Sequence, residues 1–224
     1  MKKVILFLFI FALSCSENKY DFIIENGLIV DGTGKSSYVA SIYIKNGRIS
    51  HLGKSLSNVK TKKKIDASGK IVSPGFIDMH THSERNSLNH PLVENYLQQG
   101  VTTMVGGNCG SSPFPIEDFI DKTQLEGIGP NLALLIGHNT IRKEVMGTEN
   151  RLANSDEIEN MKKLIEDSMK EGAFGMSTGL KYIPGAYSNT DEVVALAKVV
   201  SKNNGFYATH MREEGVSGLI ESVE

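Results

Sequence analysis

From Lys70 onward the chain repeats strand, loop and helix at intervals of about 30 to 40 residues, and no other feature limits its possible folds so strongly. Strand-like runs fall at 71–79, 101–105, 132–136, 174–177 and 206–209. Helical patterns lie between them, clearest over 156–171, where Ile158, Met161, Leu164, Ile165 and Met169 form one apolar stripe. Asn154 with Glu157 three residues on predicts a capping box, and Gly172 a left-handed stop. Asn189, Glu192 and Gly205 frame the pattern over 191–202 in the same way. This alternation predicts right-handed βαβ units and a parallel sheet.

The reactive residues fall at one place in that repeat. The first run ends in His80-Thr81-His82, and side chains two apart on an extended strand point the same way. Neutral imidazoles so paired suit Zn²⁺ and similar ions. In isolation the pair equally fits a surface strand that happens to carry two histidines. Cys109 then follows the second strand, His138 follows the third, Ser177 and Thr178 close the fourth, and His210 closes the fifth. Carboxyl ends of successive strands converge in a (β/α)₈ barrel and build its active site. An open doubly wound sheet also binds ligands there, but five strands in a row carrying polar or ligating residues favour the barrel.

Residues 20–70 read instead as a small β-sheet unit. Asn26-Gly27 and Asn46-Gly47 each sit between apolar runs and predict hairpins. Alternation over 39–44 is imperfect, so both faces of that sheet are expected to be partly covered. The run Lys60, Lys62, Lys63, Lys64 reads as a solvated turn. With 224 residues, 40% hydrophobic and a formal net charge of −2, the chain is globular in composition and offers no electrostatic footprint for nucleic acid.

The start has a different character. Lys2 and Lys3 precede ten apolar residues, 4–13, and then Ser14-Cys15-Ser16, the zones of a secretory signal. A spanning helix needs about 20 apolar residues, so the segment is short for an anchor. Its end resembles a bacterial lipobox, which makes 1–15 a lipoprotein-type signal, Cys15 the lipid attachment and only contact with a membrane, and 16–19 a tether. The expected location is the periplasm or cell envelope. Cys109 is then left without a disulfide partner, and is either buried and inert or ligated.

The strings NGLIVDGTG, GFIDMHTH, GGNCG, STGLKYIPG and THMREE together resemble the amidohydrolase superfamily, and within it the N-acyl-D-amino-acid deacylases, over residues 21–214. The resemblance implies a partial (β/α)₈ TIM barrel of about five βα units at 71–224, preceded at 20–70 by part of a small β-sandwich. It implies His80, His82, Cys109 and His210 as ligands of one or two Zn²⁺, and hydrolysis of an N-acyl-D-amino acid to a D-amino acid and a carboxylate. Tyr182 is implied near the substrate carboxylate, with Lys181 and Arg212 as weaker substrate contacts. His138 is open between substrate contact, hydrogen bonding to the site and a purely structural role. His90, before Pro91, and His51, in the hairpin region, read as ordinary surface or loop residues. The family's catalytic aspartate and a further histidine ligand would lie beyond Glu224, so the expectation is a fragment without activity of its own. Another amidohydrolase, dihydroorotase-like or dipeptidase-like, or a non-catalytic binding lipoprotein are the competing readings.

Overall fold

A computed structural model describes residues 19–223. The expected signal, its Cys15 and the tether up to residue 18 lie outside the described residues. The chain divides between Pro74 and Gly75 into two units.

The first unit is one five-stranded sheet of β1 (Lys19–Ile29), β2 (Tyr38–Lys45), β3 (Arg48–Gly53), β4 (Lys60–Asp66) and β5 (Ile71–Val72). Its order is β3-β2-β1-β4, with β5 also pairing with β1. Asn46 and Gly47 take φ of 53° and 70° in the tight turn joining β2 to β3, as the sequence predicts. Asn26-Gly27 does not make a hairpin. β1 runs straight through it, and the register against β2 slips between Ile24 and Gly27, so the left-handed Asn26 serves a β-bulge. Gly27 is required there because a Cβ would sit 2.6 Å from Val72 Cγ2.

Ala40, Ser41, Ile42 and Tyr43 are buried in succession, so both faces of β2 are covered, as expected. The lysine run corrects its reading as a turn. It forms β4, parallel to β1, with Lys62 on Asp21 at 2.8 Å and Lys64 on Glu25 at 3.0 Å. Lysines on an edge strand oppose pairing with another chain.

The apolar run 71–77, expected to be one strand, is divided. Ile71–Val72 hydrogen-bonds with β1, which moves the boundary from Lys70 to Pro74, and β6 (Phe76–Asp78) opens the second unit. That unit continues through α1 (Glu94–Leu97), β7 (Val101–Gly106), α2 (Ile116–Glu126), β8 (Asn131–Gly137), α3 (His138–Met146), α4 (Ser155–Lys170), β9 (Gly175–Gly179), α5 (Thr190–Lys202), β10 (Phe206–His210) and α6 (Leu219–Val223). Its sheet has the order β10-β9-β8-β7-β6, every pair parallel, and curls as a partial barrel. Leu134 and Ile136 of β8 and Met176 of β9 pack with Met161 and Ile165 of α4 and Leu196 of α5 to form the core. Leu134, Leu135 and Ile136 are buried in succession and all of β9 is buried, the pattern of parallel strands covered on both faces.

α4 begins with the predicted capping box. Asn154 Oδ1 accepts from the Glu157 amide at 2.9 Å, and the Glu157 carboxylate accepts from the Asn154 amide at 2.8 Å. Arg151 adds a two-pronged pair at 2.6 and 2.8 Å. The Arg151 guanidinium, and after it the Asn154 amide, hold the Glu157 carboxyl at about 2 against an ordinary 4.5. A depressed carboxyl adds stability that is present above pH 4.5 and is lost as pH falls towards 2. The melting-temperature gap between the protein and Glu157→Gln is therefore expected to be steady above pH 5 and to close on acidification; a gap unchanged by pH would contradict the pairing.

α5 departs from its reading at one residue. Asn189 caps it, accepting from the Glu192 amide at 2.9 Å, but the Glu192 side chain does not return to the cap. It turns inward and is 1% exposed.

Candidate metal centre

β6 ends at Asp78, so His80 and His82 stand on irregular chain beyond the strand and not on its extended face. The residue between them does the aiming. Thr81, 1% exposed, ties its amide and its hydroxyl to the Val105 carbonyl, each at 3.0 Å. With Thr81 anchored against β7, the flanking imidazoles turn towards each other, their ring centroids 5.7 Å apart.

The next loop, Gly106-Gly107-Asn108-Cys109-Gly110, brings a thiol to the same place. Gly107, Cys109 and Gly110 have φ of 74°, 55° and 77°, a left-handed path that glycine adopts freely and cysteine does not. Long-range bonds hold it. The Ser177 hydroxyl donates to the Gly107 carbonyl and accepts from the Gly110 amide at 2.9 Å, and the Asn108 amide group donates to Val105 at 2.9 Å.

Cys109 Sγ consequently lies 3.3 Å from His80 Nε2 and 3.6 Å from His210 Nδ1, at the end of β10. One ligand atom from each of His80, His82 and Cys109 falls within 4.8 Å of the others, and His210 borders that set through the sulfur. His210 Nε2 is 3.3 Å from a Glu214 carboxylate oxygen but at an angle that closes no hydrogen bond. His82 Nδ1 is also buried without a partner.

The electrostatics fit a cation. Burial, and after it the charges of Arg85 and His80, push the His82 imidazole towards its neutral form, the form that ligates. Burial also raises the Cys109 thiol; Arg85 opposes this, and Glu214 and Glu84 add to it. A thiol held protonated by its surroundings is a poor free nucleophile, whereas beside a divalent ion it deprotonates. Two or three imidazoles and one thiol form a donor set for Zn²⁺.

Tyr182 stands against this group, its hydroxyl 3.3 Å from His210 Nδ1 and its ring 4.8 Å from the imidazole. A cavity of about 710 Å³ opens beside it, lined among others by His82, Cys109, Phe114, Asn139 and Tyr182. Lys181 is exposed; its charge, after the Gly215 amide, helps hold the Glu213 carboxyl low.

Two candidate substrate contacts have partners within the protein. His138 is fully buried, its Nε2 2.8 Å from Glu192 Oε1, and cannot touch a substrate. Arg212 donates to the backbone carbonyls of Ser188 at 2.8 Å and Ala186 at 3.5 Å, so its guanidinium fastens the loop after β9. His51 lies on strand β3 of the first unit, half-buried against Tyr43, and not in a loop, whereas His90 is an exposed loop residue as read from the sequence. Thr81, Asn139 and the loop-holding role of Ser177 were not legible, because each acts through partners more than twenty residues away.

Histidines and a cysteine gathered at the strand ends of a parallel barrel-type sheet define a candidate metal centre, and the chain belongs to the amidohydrolase family, whose model matches residues 63–220. It is 34% identical over 219 residues to the D-aminoacylase of Alcaligenes xylosoxydans xylosoxydans, covering 88% of this chain and 45% of that protein. A solved D-aminoacylase with a binuclear metal centre superposes with a TM-score of 0.85 at 34% identity, over 91% of this chain and 48% of the other. The N-acyl-D-glutamate deacylase of Bordetella bronchiseptica, solved with zinc and a phosphonate mimic of the tetrahedral intermediate, gives 0.87 at 32% identity, over 92% and 48%. The chain spans about half the length of these relatives.

Proposed function

We propose that the chain supplies His80, His82, Cys109 and His210 to the Zn²⁺ centre of an N-acyl-D-amino-acid deacylase. The observation that carries the proposal is Cys109 Sγ set between His80 Nε2 and His210 Nδ1 at 3.3 and 3.6 Å. The likeness to deacylases at 32–34% identity supports the reaction class. Bound Zn²⁺ supplies Lewis acidity to an amide carbonyl and acidifies its water. The chain's own residues do the placing. Thr81 and the glycine loop fix the donors, Tyr182 steadies His210 from the cavity side, and its exposed ring and Lys181 offer contacts to an anionic N-acyl amino acid.

The test is metal binding by the purified chain, stripped with chelator and retitrated. Zn²⁺ is expected to bind and to raise the melting temperature, and Cys109→Ser to weaken binding by at least tenfold, about 1.4 kcal/mol or more. Unchanged affinity in Cys109→Ser would remove the sulfur from the centre. In deacylation by a chain extended to the relatives' length, preference for N-acetyl-D- over N-acetyl-L-amino acids is the expected signature.

A further inference from the structure

We propose that Glu84 is a positioning residue that orients His82 for metal binding, a reading that rests on the metal centre proposed above. Glu84 follows the His-x-His segment in a short 3₁₀ turn, and its side chain is 2% exposed. Its Oε2 has no hydrogen-bond partner, and its Oε1 is 3.9 Å from His82 Nδ1, a second buried atom without one. The other charge at that distance, Arg85 Nε, belongs to a side chain 59% exposed, which solvent screens.

The pocket for this carboxylate is built by the loop that carries Cys109. The Gly107 amide faces it, and a Cβ on Gly106 would stand 2.6 Å from Glu84 Oε2. The first glycine of the loop thus makes room for Glu84, and the carboxylate lies between the histidine-bearing and cysteine-bearing segments. A buried ring nitrogen without a partner thus stands 3.9 Å from Oε1 of a buried carboxylate whose other oxygen is also without one, beside a candidate metal centre. A ligating histidine commonly donates its second N–H to a carboxylate, which fixes the tautomer and strengthens the ligand. With Nδ1–H directed at Glu84, Nε2 is the His82 nitrogen left to ligate.

The experiment compares the chain with Glu84→Gln and Glu84→Ala, each stripped of metal and titrated with Co²⁺, read by thiolate-to-cobalt absorption, and with Zn²⁺ by dye competition. Melting temperatures in chelator are measured alongside. Expected are a 10- to 100-fold loss of affinity in both variants and a shifted cobalt spectrum, with the chelator melting temperature of Glu84→Gln unchanged. Wild-type affinity in both variants overturns the role of Glu84 while leaving the metal centre intact. Loss of affinity only in step with a lowered chelator melting temperature assigns Glu84 to the fold and also overturns it. No binding by the unmodified chain overturns the metal centre, and this proposal with it.

Discussion

Arg142→Met is expected to lower the stability of the second unit by about 3–5 kcal/mol, the cost of leaving a buried charge without its partner. Arg142 and His138 are wholly buried and Glu192 is 1% exposed. The guanidinium donates to Glu192 Oε1 at 3.1 Å, to the Arg151 carbonyl at 2.6 Å and to the Tyr187 carbonyl at 3.5 Å. It thereby joins α3, the loop before α4, the loop after β9 and the start of α5. Without it, Glu192 keeps only His138, and one of its oxygens is already unpartnered. Removing both charges in Arg142→Met/Glu192→Leu is expected to cost less than the sum of the single changes, because no uncompensated carboxylate remains. Urea midpoints for the three variants give the comparison, and strict additivity would sink the network. The consequence reaches the site. His138 starts α3, and the next residue, Asn139, donates to the carbonyls of Gly179 at 3.1 Å and Tyr182 at 3.2 Å. The buried charges therefore hold the helix end that fixes Tyr182 beside His210.

Gly107→Ala is expected to be at least as damaging, on the order of 4 kcal/mol or more. Part of the cost is conformational, since a left-handed φ of 74° disfavours alanine by about 1–2 kcal/mol. The rest is collision. The new Cβ would overlap the Leu135 carbonyl oxygen and lie 3.1 Å from its C and N atoms, backbone that cannot move without opening β8. Gly47→Ala separates the two causes, because Gly47, in the Asn46-Gly47 turn, has φ of 70° with nothing within 4 Å of the added carbon. It should lose only the smaller part. Thermal melts and zinc titration of both variants are the measurement; equal losses at the two positions would mean that the contact with Leu135 has no weight.

Much of this was written locally in the chain. The apolar stripe and the Asn154–Glu157 pair placed α4 within a residue of its observed ends, because a helix is made of contacts three and four residues apart. Asn46-Gly47 placed its hairpin for the same reason. Asn26-Gly27 failed as a hairpin because its left-handed preference is served equally by a bulge, and contacts with Val72 and Asp66, some forty residues on, chose between them. Glu192 failed as half of a capping box because buried His138 and Arg142 offer it a stronger pairing than its own helix end does.

The His80-Thr81-His82 spacing, the position of Cys109 after the second strand and of His210 after the fifth were determined by the sequence alone, since strand ends in a parallel sheet are ordered by the βαβ repeat. Only the tertiary structure decided how they meet. The spacing works through Thr81 anchored on Val105 and not through an extended strand, and the thiol arrives by a left-handed loop held by Ser177. The division between Ile71–Val72 and Phe76–Asp78, the inward turn of Glu192 and the burial of Glu84 were decided there too. Each is a contact between residues far apart in the chain or a choice between burial and solvent, and local pattern fixes neither.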